Sequence, residues 1–98
     1  MNAEVIAIDQ DPAGRQGDRV RAEGPLEVWA KPLSGGGKAV GLFNLSDQPA
    51  YVDVDFAEVG LKGAVKARDV WGAKDLGRLK TYRALVPGHG VMLLRVGA

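Results

Sequence analysis

The sequence has no cysteine, no long apolar run and no excess of either charge. The absence of cysteine excludes disulfide bonds, cysteine-ligated zinc and a thiol nucleophile, and it leaves the redox compartment open. No apolar run approaches the roughly 20 residues of a membrane-spanning helix, and no signal-peptide pattern is visible at the N-terminus. The 13 basic and 12 acidic residues are interspersed and leave a net charge of +1. We therefore expect neither nucleic acid nor a membrane as a partner, and the sequence assigns the chain to no compartment.

The 98 residues are enough for one small domain. Residues 1–17 read as a short helix and a linker. Asn2 can cap the helix, and Pro12 forces the preceding residue out of the helical region. Residues 18–98 read as a single all-β domain, which gives two segments with a boundary at 17/18.

Most of the later sequence alternates between apolar and polar residues with the period of a β-strand. Glycine- and proline-rich turns at 32–37, 44–49 and 87–90 separate several of these runs. Short strands with such turns predict an antiparallel sandwich or barrel. The predicted strands are 26–31, 39–43, 50–56, 65–71, 81–86 and 91–96.

Two pairs of aspartates are candidates for acid–base chemistry. Asp9 and Asp11 precede a proline at the predicted helix end, where aspartate commonly bonds local backbone N–H groups. Asp53 and Asp55 share one face of a strand at roughly 6.5–7 Å, a separation loosely compatible with glycosidase carboxylates. We interpret the first pair as a turn and the second as a solvated strand face.

Other reactive residues have no partner in the sequence. The only histidine, His89, lies between two glycines in a turn, without the second ligand that a metal site needs. Ser34 and Ser46 lie in loops with no base in view. The run Gly35-Gly-Gly-Lys38 lacks the spacing and the following helix of a phosphate loop. We expect no metal and no cofactor.

The aromatic residues are the better candidates for binding. Trp29, Tyr51 and Tyr82 could each stack on a sugar ring, because a flat apolar ring face suits such ligands. The alternative, which we favour, is that Trp29 packs against a neighbouring domain and that Trp71 fills the core. Asn44-Leu-Ser46 also matches an N-glycosylation acceptor.

The order of several short segments resembles the C-terminal part of glycoside hydrolase family 27, which comprises α-galactosidases (melibiases) and α-N-acetylgalactosaminidases. The resemblance covers nearly the whole chain. It is carried by EVIAIDQDPAGRQG (4–17), EVWAKPLSGGGKAVGLFN (27–44), RDVW (68–71), KDLG (74–77) and VPGHGVMLLRV (86–96).

This resemblance implies a (β/α)₈ catalytic barrel followed by an antiparallel, Greek-key-like β-sandwich, with VIAIDQDP as the end of the last barrel helix. It also implies two catalytic aspartates within barrel motifs, Tyr-x-Lys-x-Asp and Arg-x-x-Asp. The first motif is absent here, and Arg15-Gln-Gly-Asp18 matches the second only in the predicted linker. A barrel needs roughly 200 residues or more. No catalytic residue can therefore be carried over.

The resemblance leads us to expect a non-catalytic accessory domain that packs on the barrel of a retaining α-galactosidase-like enzyme. Family members are often secreted, and their substrate (galactoside, N-acetylgalactosaminide or arabinopyranoside) is decided by the barrel. We expect the free chain to expose an apolar patch that includes Trp29 and Val5, Ile6 and Ile8, and to self-associate through it. The alternatives are an autonomous carbohydrate-binding module and a hydrolase that uses Asp53 and Asp55.

Overall fold

The computed structural model describes residues 18–34 and 36–97, so the helix and linker predicted for residues 1–17 lie outside the described residues. Eight β-strands and one short 3-10 helix make up the described part of the chain. The strands are β1 (Asp18–Glu23), β2 (Leu26–Pro32), β3 (Lys38–Asn44), β4 (Ala50–Asp55), β5 (Val65–Asp69), β6 (Lys74–Leu79), β7 (Thr81–Val86) and β8 (Gly90–Val96), and the helix is Phe56–Val59. No helix in the described ranges is long and apolar enough to cross a bilayer.

The strands form two antiparallel sheets, which confirms the predicted β-sandwich. The larger sheet has the order β1-β2-β3-β8-β5-β6, and the smaller one pairs β4 with β7. The pairing of β3 with β8 joins residues far apart in sequence, since Lys38 lies opposite Val96 and Asn44 opposite Gly90. The small sheet packs on the middle of the large one, where β4 contacts β2 and β3, and β7 contacts β3 and β8.

Strand alternation places one apolar set between the sheets. In β4 the pattern is strict, because Val52 and Val54 are buried while Tyr51, Asp53 and Asp55 are exposed. The buried core also takes Phe56 and Val59 from the 3-10 helix, which pack with the residues of the large sheet. The core residues of the large sheet are Val28, Ala30, Val40, Leu42, Ala67, Leu94 and Val96.

Two of the four passages between the sheets lie at one shared end of the sandwich. The connection 45–49 leads from β3 to β4, and the connection 87–89 leads from β7 back to β8. These two connections lie side by side, since the His89 N–H donates to the Ser46 carbonyl at 2.9 Å. We refer to them together as the crossover loops.

The six predicted strands all exist, but three elements were not predicted. They are β1, β6 and the 3-10 helix. The predicted strand 65–71 ends at Asp69, and Val70 begins a turn instead. As a result Trp71 does not fill the core as expected: its side chain is 50% exposed at the tip of the β5–β6 hairpin.

Candidate functional site

The large sheet has an apolar face directed away from the small sheet. Val28 and Ala30 point into the core, so Trp29 between them points outward. Register places Trp29 opposite Gly41 and Gly41 opposite Leu93, and it places Phe43 opposite Val91. We call these five positions, Trp29, Gly41, Phe43, Val91 and Leu93, the outer face. Its four side chains are half-buried within the domain itself.

The two aromatic side chains of the outer face are ordered by local contacts. The Trp29 Nε1–H donates to Glu27 Oε1 at 2.9 Å, and the ring meets Phe43 edge-to-face with centroids 6.4 Å apart. A Cβ atom at Gly41 would lie 2.7 Å from Phe43 Cε1. The Phe43 ring therefore occupies the space that a side chain at Gly41 would need.

The β5–β6 hairpin covers one end of the outer face. Val70 is fully buried and packs with Ala39, Leu33 and Leu93 in a second small core outside the sandwich. The Val70 N–H donates to the Leu93 carbonyl at 3.1 Å and fixes the hairpin tip there. The large sheet is thus covered on both sides at this end.

Charged side chains border the outer face. Arg19, which lies opposite Trp29, forms an ion pair with Glu27 at 3.6 Å. At the other end, register aligns Lys31 with Ala39 and Ala39 with Arg95. The apolar strip is therefore flanked by one internal ion pair and by a row that contains two cations.

The small sheet carries a different surface. Its outward positions are polar or charged apart from Tyr51 and Leu85, which lie opposite each other and are 55% and 58% exposed. The Arg83 guanidinium lies 4.1 Å from the centroid of the Tyr51 ring, a cation–π contact. The remaining outward positions are Asp53, Asp55 and Thr81.

The structure separates the three aromatic residues that the sequence proposed for binding. Trp29 lies on the outer face, and Tyr51 lies on the outer side of the small sheet. Tyr82 lies opposite Val54 and packs against the core. These residues thus occupy three different surfaces and cannot stack on one ligand together.

The aspartates of β4 have separate structural partners. Asp53 lies 3.7 Å from Arg21 Nη2, and its backbone carbonyl accepts a hydrogen bond from the same guanidinium. Asp55 caps the 3-10 helix, since its Oδ1 accepts from the Ala57 N–H at 2.9 Å. Each carboxylate thus has a local role. Asp9 and Asp11 lie outside the described residues.

The other candidate residues also lie in structural positions. His89 is exposed in the second crossover loop with φ 56°. The Ser46 hydroxyl donates to Asn44 Oδ1 at 2.6 Å. Ser34 lies in the β2–β3 turn, Gly35 is outside the described residues, and Lys38 begins β3. Within residues 18–34 and 36–97, no group of three or more His, Asp or Glu side chains could hold a metal ion.

The glycosylation motif is not available in the folded chain. The Asn44 side chain is 0% exposed, and its Nδ2 donates to the carbonyls of Val86 at 3.0 Å and Gln48 at 2.7 Å. The nitrogen that would carry a glycan is therefore buried with both donors used. The match was coincidental, because a sequence motif does not report burial.

Sequence reasoning identified Trp29 but not the rest of the outer face. The missed signal was in β3 and β8, whose runs Ala39–Phe43 and Val91–Leu94 are apolar at consecutive positions. Such runs are typical of strands covered on both faces, whereas β4 alternates. The difference between these strands could have located the outer face.

Comparison with known sequences places this fold among carbohydrate-active proteins. A family model described as the alpha galactosidase C-terminal beta sandwich domain matches residues 23–96. An α-galactosidase from Oryza sativa is 41% identical over 90 residues, which cover 90% of this chain and 22% of the relative. A probable α-galactosidase from Dictyostelium discoideum is 37% identical over 99 residues and is covered to 26% of its length. The chain thus spans about a quarter of the relatives that it matches.

Solved structures show the same fold. A GH27 β-L-arabinopyranosidase from Geobacillus stearothermophilus superposes with a TM-score of 0.89 at 28% identity, covering 100% of this chain and 22% of that chain. The α-galactosidase I from Mortierella vinacea gives the same TM-score and identity, covering 98% of this chain and 26% of its own. Two enzymes with different named sugars therefore share this sandwich.

Proposed function

Because this chain belongs to the α-galactosidase C-terminal β-sandwich family, we propose that it serves as the non-catalytic accessory domain of an α-galactosidase-like glycoside hydrolase and stabilises a catalytic (β/α)₈ barrel. The observation that carries this proposal is the coverage of its relatives. Nearly all of this chain matches, but it accounts for only 22% of the Oryza α-galactosidase.

We propose that the reaction of the parent enzyme takes place in the catalytic barrel, which belongs to the part of the relatives that this chain does not match. We propose hydrolysis of terminal α-galactosides, in keeping with the names of the curated relatives. The sandwich does not determine the sugar, because α-galactosidase and β-L-arabinopyranosidase structures superpose on it equally well. Its contribution is to packing and stability.

A chimera tests this function. Residues 1–98 would replace the matching C-terminal region of the Oryza α-galactosidase, and the hybrid would be compared with the intact enzyme and with the truncated barrel. We expect the hybrid to hydrolyse a chromogenic α-galactoside with kcat and KM close to the intact enzyme, and to inactivate at a higher temperature than the truncated barrel. A hybrid no more stable or active than the truncated barrel would refute the proposal.

The chain alone should show no α-galactosidase activity above background. We expect this because Asp53 is held by Arg21 and Asp55 caps a helix, which leaves neither placed as half of an acid–base pair. The measurement is release of nitrophenol from the chromogenic α-galactoside. Turnover that is lost in Asp53→Asn would overturn this assignment.

We propose carbohydrate binding as a second function, supported by the exposure of Tyr51. Its ring is 55% exposed and is held on one side by Arg83. Asp53 and Thr81 on the same face offer an acceptor and a hydroxyl for sugar hydroxyl groups. A flat face with one stacking ring suits weak binding of an oligosaccharide rather than enclosure of a monosaccharide.

An NMR titration with galactomannan oligosaccharides tests this second function. We expect shifts around Tyr51 at millimolar sugar, their loss in Tyr51→Ala, and their retention in Tyr82→Phe, whose ring packs against the core. No shift at high millimolar sugar would remove the proposal. Shifts centred on Trp29 instead would show that the sugar binds to the large sheet and not to Tyr51.

A further inference from the structure

We propose that the outer face is the surface through which the domain docks on the catalytic barrel, against an apolar strip of the barrel's outer helices. The inference rests on the function proposed above and assigns it to particular residues. Of the two outward-facing sheet surfaces, this one has the composition of a buried interface.

The first argument is that β3 and β8 are apolar on both sides. Val40, Leu42 and Leu94 fill the core, yet Phe43, Val91 and Leu93 are apolar on the outward side of the same strands, and the β5–β6 hairpin covers only Leu93 among them. A strand at the middle of a sheet with one solvated face would alternate, as β4 does. Apolar residues on both faces indicate that a second layer covers these strands in the intact protein.

The second argument is the shape of the surface. The Phe43 ring fills the space over Gly41 and contacts Trp29 edge-to-face, so the centre of the outer face is a closely packed aromatic surface. The Trp29 N–H is already bonded to Glu27 within the domain. A partner can therefore cover the indole without leaving a buried donor unsatisfied.

The third argument is where the preceding chain joins the sandwich. β1 begins at Asp18 on the edge of the large sheet, and the next residue, Arg19, lies opposite Trp29. Whatever precedes the sandwich is thus attached one strand away from the outer face. The predicted linker after the helix, residues 12–17, reaches about 20 Å at most, so a preceding domain stays close to this edge.

The small sheet serves as the internal comparison. Its outward surface has the exposed residues Tyr51 and Leu85, but acidic, basic and hydroxyl side chains surround them. Covering this surface would desolvate three charged side chains, Asp53, Asp55 and Arg83, on two short strands. Removing exposed charges from water is costly even when they have local partners, so this sheet is the better candidate for the solvent side.

Matched substitutions in the chimera test the docking face. Val91→Lys and Trp29→Ser alter the outer face, and Leu85→Lys and Tyr51→Ser make the same changes on the small sheet. We expect the outer-face variants to lower the inactivation temperature of the chimera by about 3–8 °C, and the small-sheet variants to lower it by much less. Thermal unfolding of each variant as the free chain measures the effect of the substitution on the domain itself and is subtracted.

The outcomes separate the two proposals. If the unsubstituted chimera fails, the accessory function is refuted. If that chimera is stable and the small-sheet variants destabilise it as much as the outer-face variants, the function stands and the docking face is wrong. If an outer-face variant also unfolds as the free chain, cysteines at Val91 and Leu85 provide the second measurement: Val91→Cys should be protected from a thiol reagent in the chimera, and Leu85→Cys should react freely. Protection of Leu85→Cys with free reaction of Val91→Cys would overturn the inference.

Discussion

Asn44 shows how one buried amide holds the shared end of the sandwich. It donates to Val86 and Gln48 carbonyls and accepts from both the N–H and the hydroxyl of Ser46. It therefore joins the end of β3 to both crossover loops. Among the described residues no buried side-chain nitrogen or oxygen lacks a hydrogen-bond partner, and this network accounts for the one fully buried polar side chain.

Replacing Asn44 with aspartate should destabilise the domain strongly. The carboxylate keeps the size and the acceptor for Ser46, but it has no N–H for the two carbonyls and places a charge against them. We expect a loss of roughly 2–4 kcal/mol in the free energy of unfolding, measured by urea denaturation. Ser46→Ala is the control and should cost about 1 kcal/mol. An unchanged midpoint for Asn44→Asp would contradict the role of the two donated bonds.

At the level of single residues, the sequence predicted the role of a side chain poorly wherever that role depends on burial. Trp71 looked like a core residue because tryptophan usually packs, but the β5 strand ends before it and the ring is half exposed. Asn44 looked like a surface acceptor, but it is buried. Trp29 was placed correctly on the outward face, because strand alternation fixes the side of a residue whenever its neighbours are clearly core.

At the scale of elements, a β-bulge in the edge strand β1 allows Arg21 to connect the two sheets. Arg19 lies opposite Trp29, and Arg21 lies opposite Val28. Two residues that are separated by one position in β1 thus pair with two residues that are adjacent in β2. This bulge turns Arg21 to the inner side of the sheet. There its guanidinium reaches Asp53 of the small sheet and Glu58 of the 3-10 helix, so that it joins both sheets at the open edge.

Arg21→Ala should loosen this edge. The exposed ion pairs are each worth about 0–1 kcal/mol, and the hydrogen bond to the Asp53 carbonyl adds about another 1 kcal/mol. We expect a total loss of roughly 1–2 kcal/mol in unfolding free energy, with faster amide exchange in β1. Arg21→Lys should recover only part of it, because the guanidinium reaches Asp53 through Nη2 and Glu58 through Nη1, whereas lysine has a single nitrogen. Equal unfolding free energies for the wild type, Arg21→Ala and Arg21→Lys would show that the Arg21 contacts do not contribute to stability.

The crossover loops depend on Gly88. A Cβ atom there would lie 2.6 Å from the carbonyl carbon of Asp47 and 2.9 Å from the Gln48 nitrogen. These are backbone atoms of the first loop, so relief requires the two connections to separate. Gly88→Ala should therefore cost more than about 2 kcal/mol in unfolding free energy.

Gly24→Ala is the control for this prediction. Gly24 takes φ 59° in the β1–β2 turn, but a Cβ atom there would meet nothing within 4 Å. Gly24→Ala should lower the unfolding free energy by only about 1–2 kcal/mol, which is the cost of placing alanine in the left-handed region. Urea midpoints of both variants compare the two effects. A smaller loss at Gly88 than at Gly24 would contradict the close packing of the loops.

The elements that sequence failed to predict are those with weak patterns. β6 reads Lys-Asp-Leu-Gly-Arg-Leu and is nearly all exposed, since it is an edge strand paired only with β5. Its apolar residues, Leu76 and Leu79, are three apart, which no strand period predicts, and the register shift between Ala67 and Arg68 of β5 explains this spacing. The other strands were predicted because burial gives their sequences a clear apolar pattern, which alternates in β4 and is continuous in β3 and β8.

At the scale of the whole molecule, we expect the free chain to present the outer face, its proposed docking surface, to solvent. Exposed apolar surface of this kind promotes association. We therefore expect the purified chain to sediment with a concentration-dependent mass and to bind a hydrophobic dye. Val91→Lys should reduce both, and Leu85→Lys should leave both near the wild-type level. A monomer at all concentrations without dye binding would contradict this. Val5, Ile6 and Ile8, expected in the same patch, lie outside the described residues.

The central position of β8 bears on how the protein is made. β8 is the last of the described strands to leave the ribosome, yet it lies between β3 and β5, and its pairing joins Lys38 to Val96. Without β8 the large sheet is divided into two separate parts, the three strands β1–β2–β3 and the hairpin β5–β6. Non-local pairing of this kind is slow, on the order of milliseconds to seconds. The large sheet can therefore close only after β8 is available, and removal of residues 90–96 would take away the middle of the sheet rather than trim its edge.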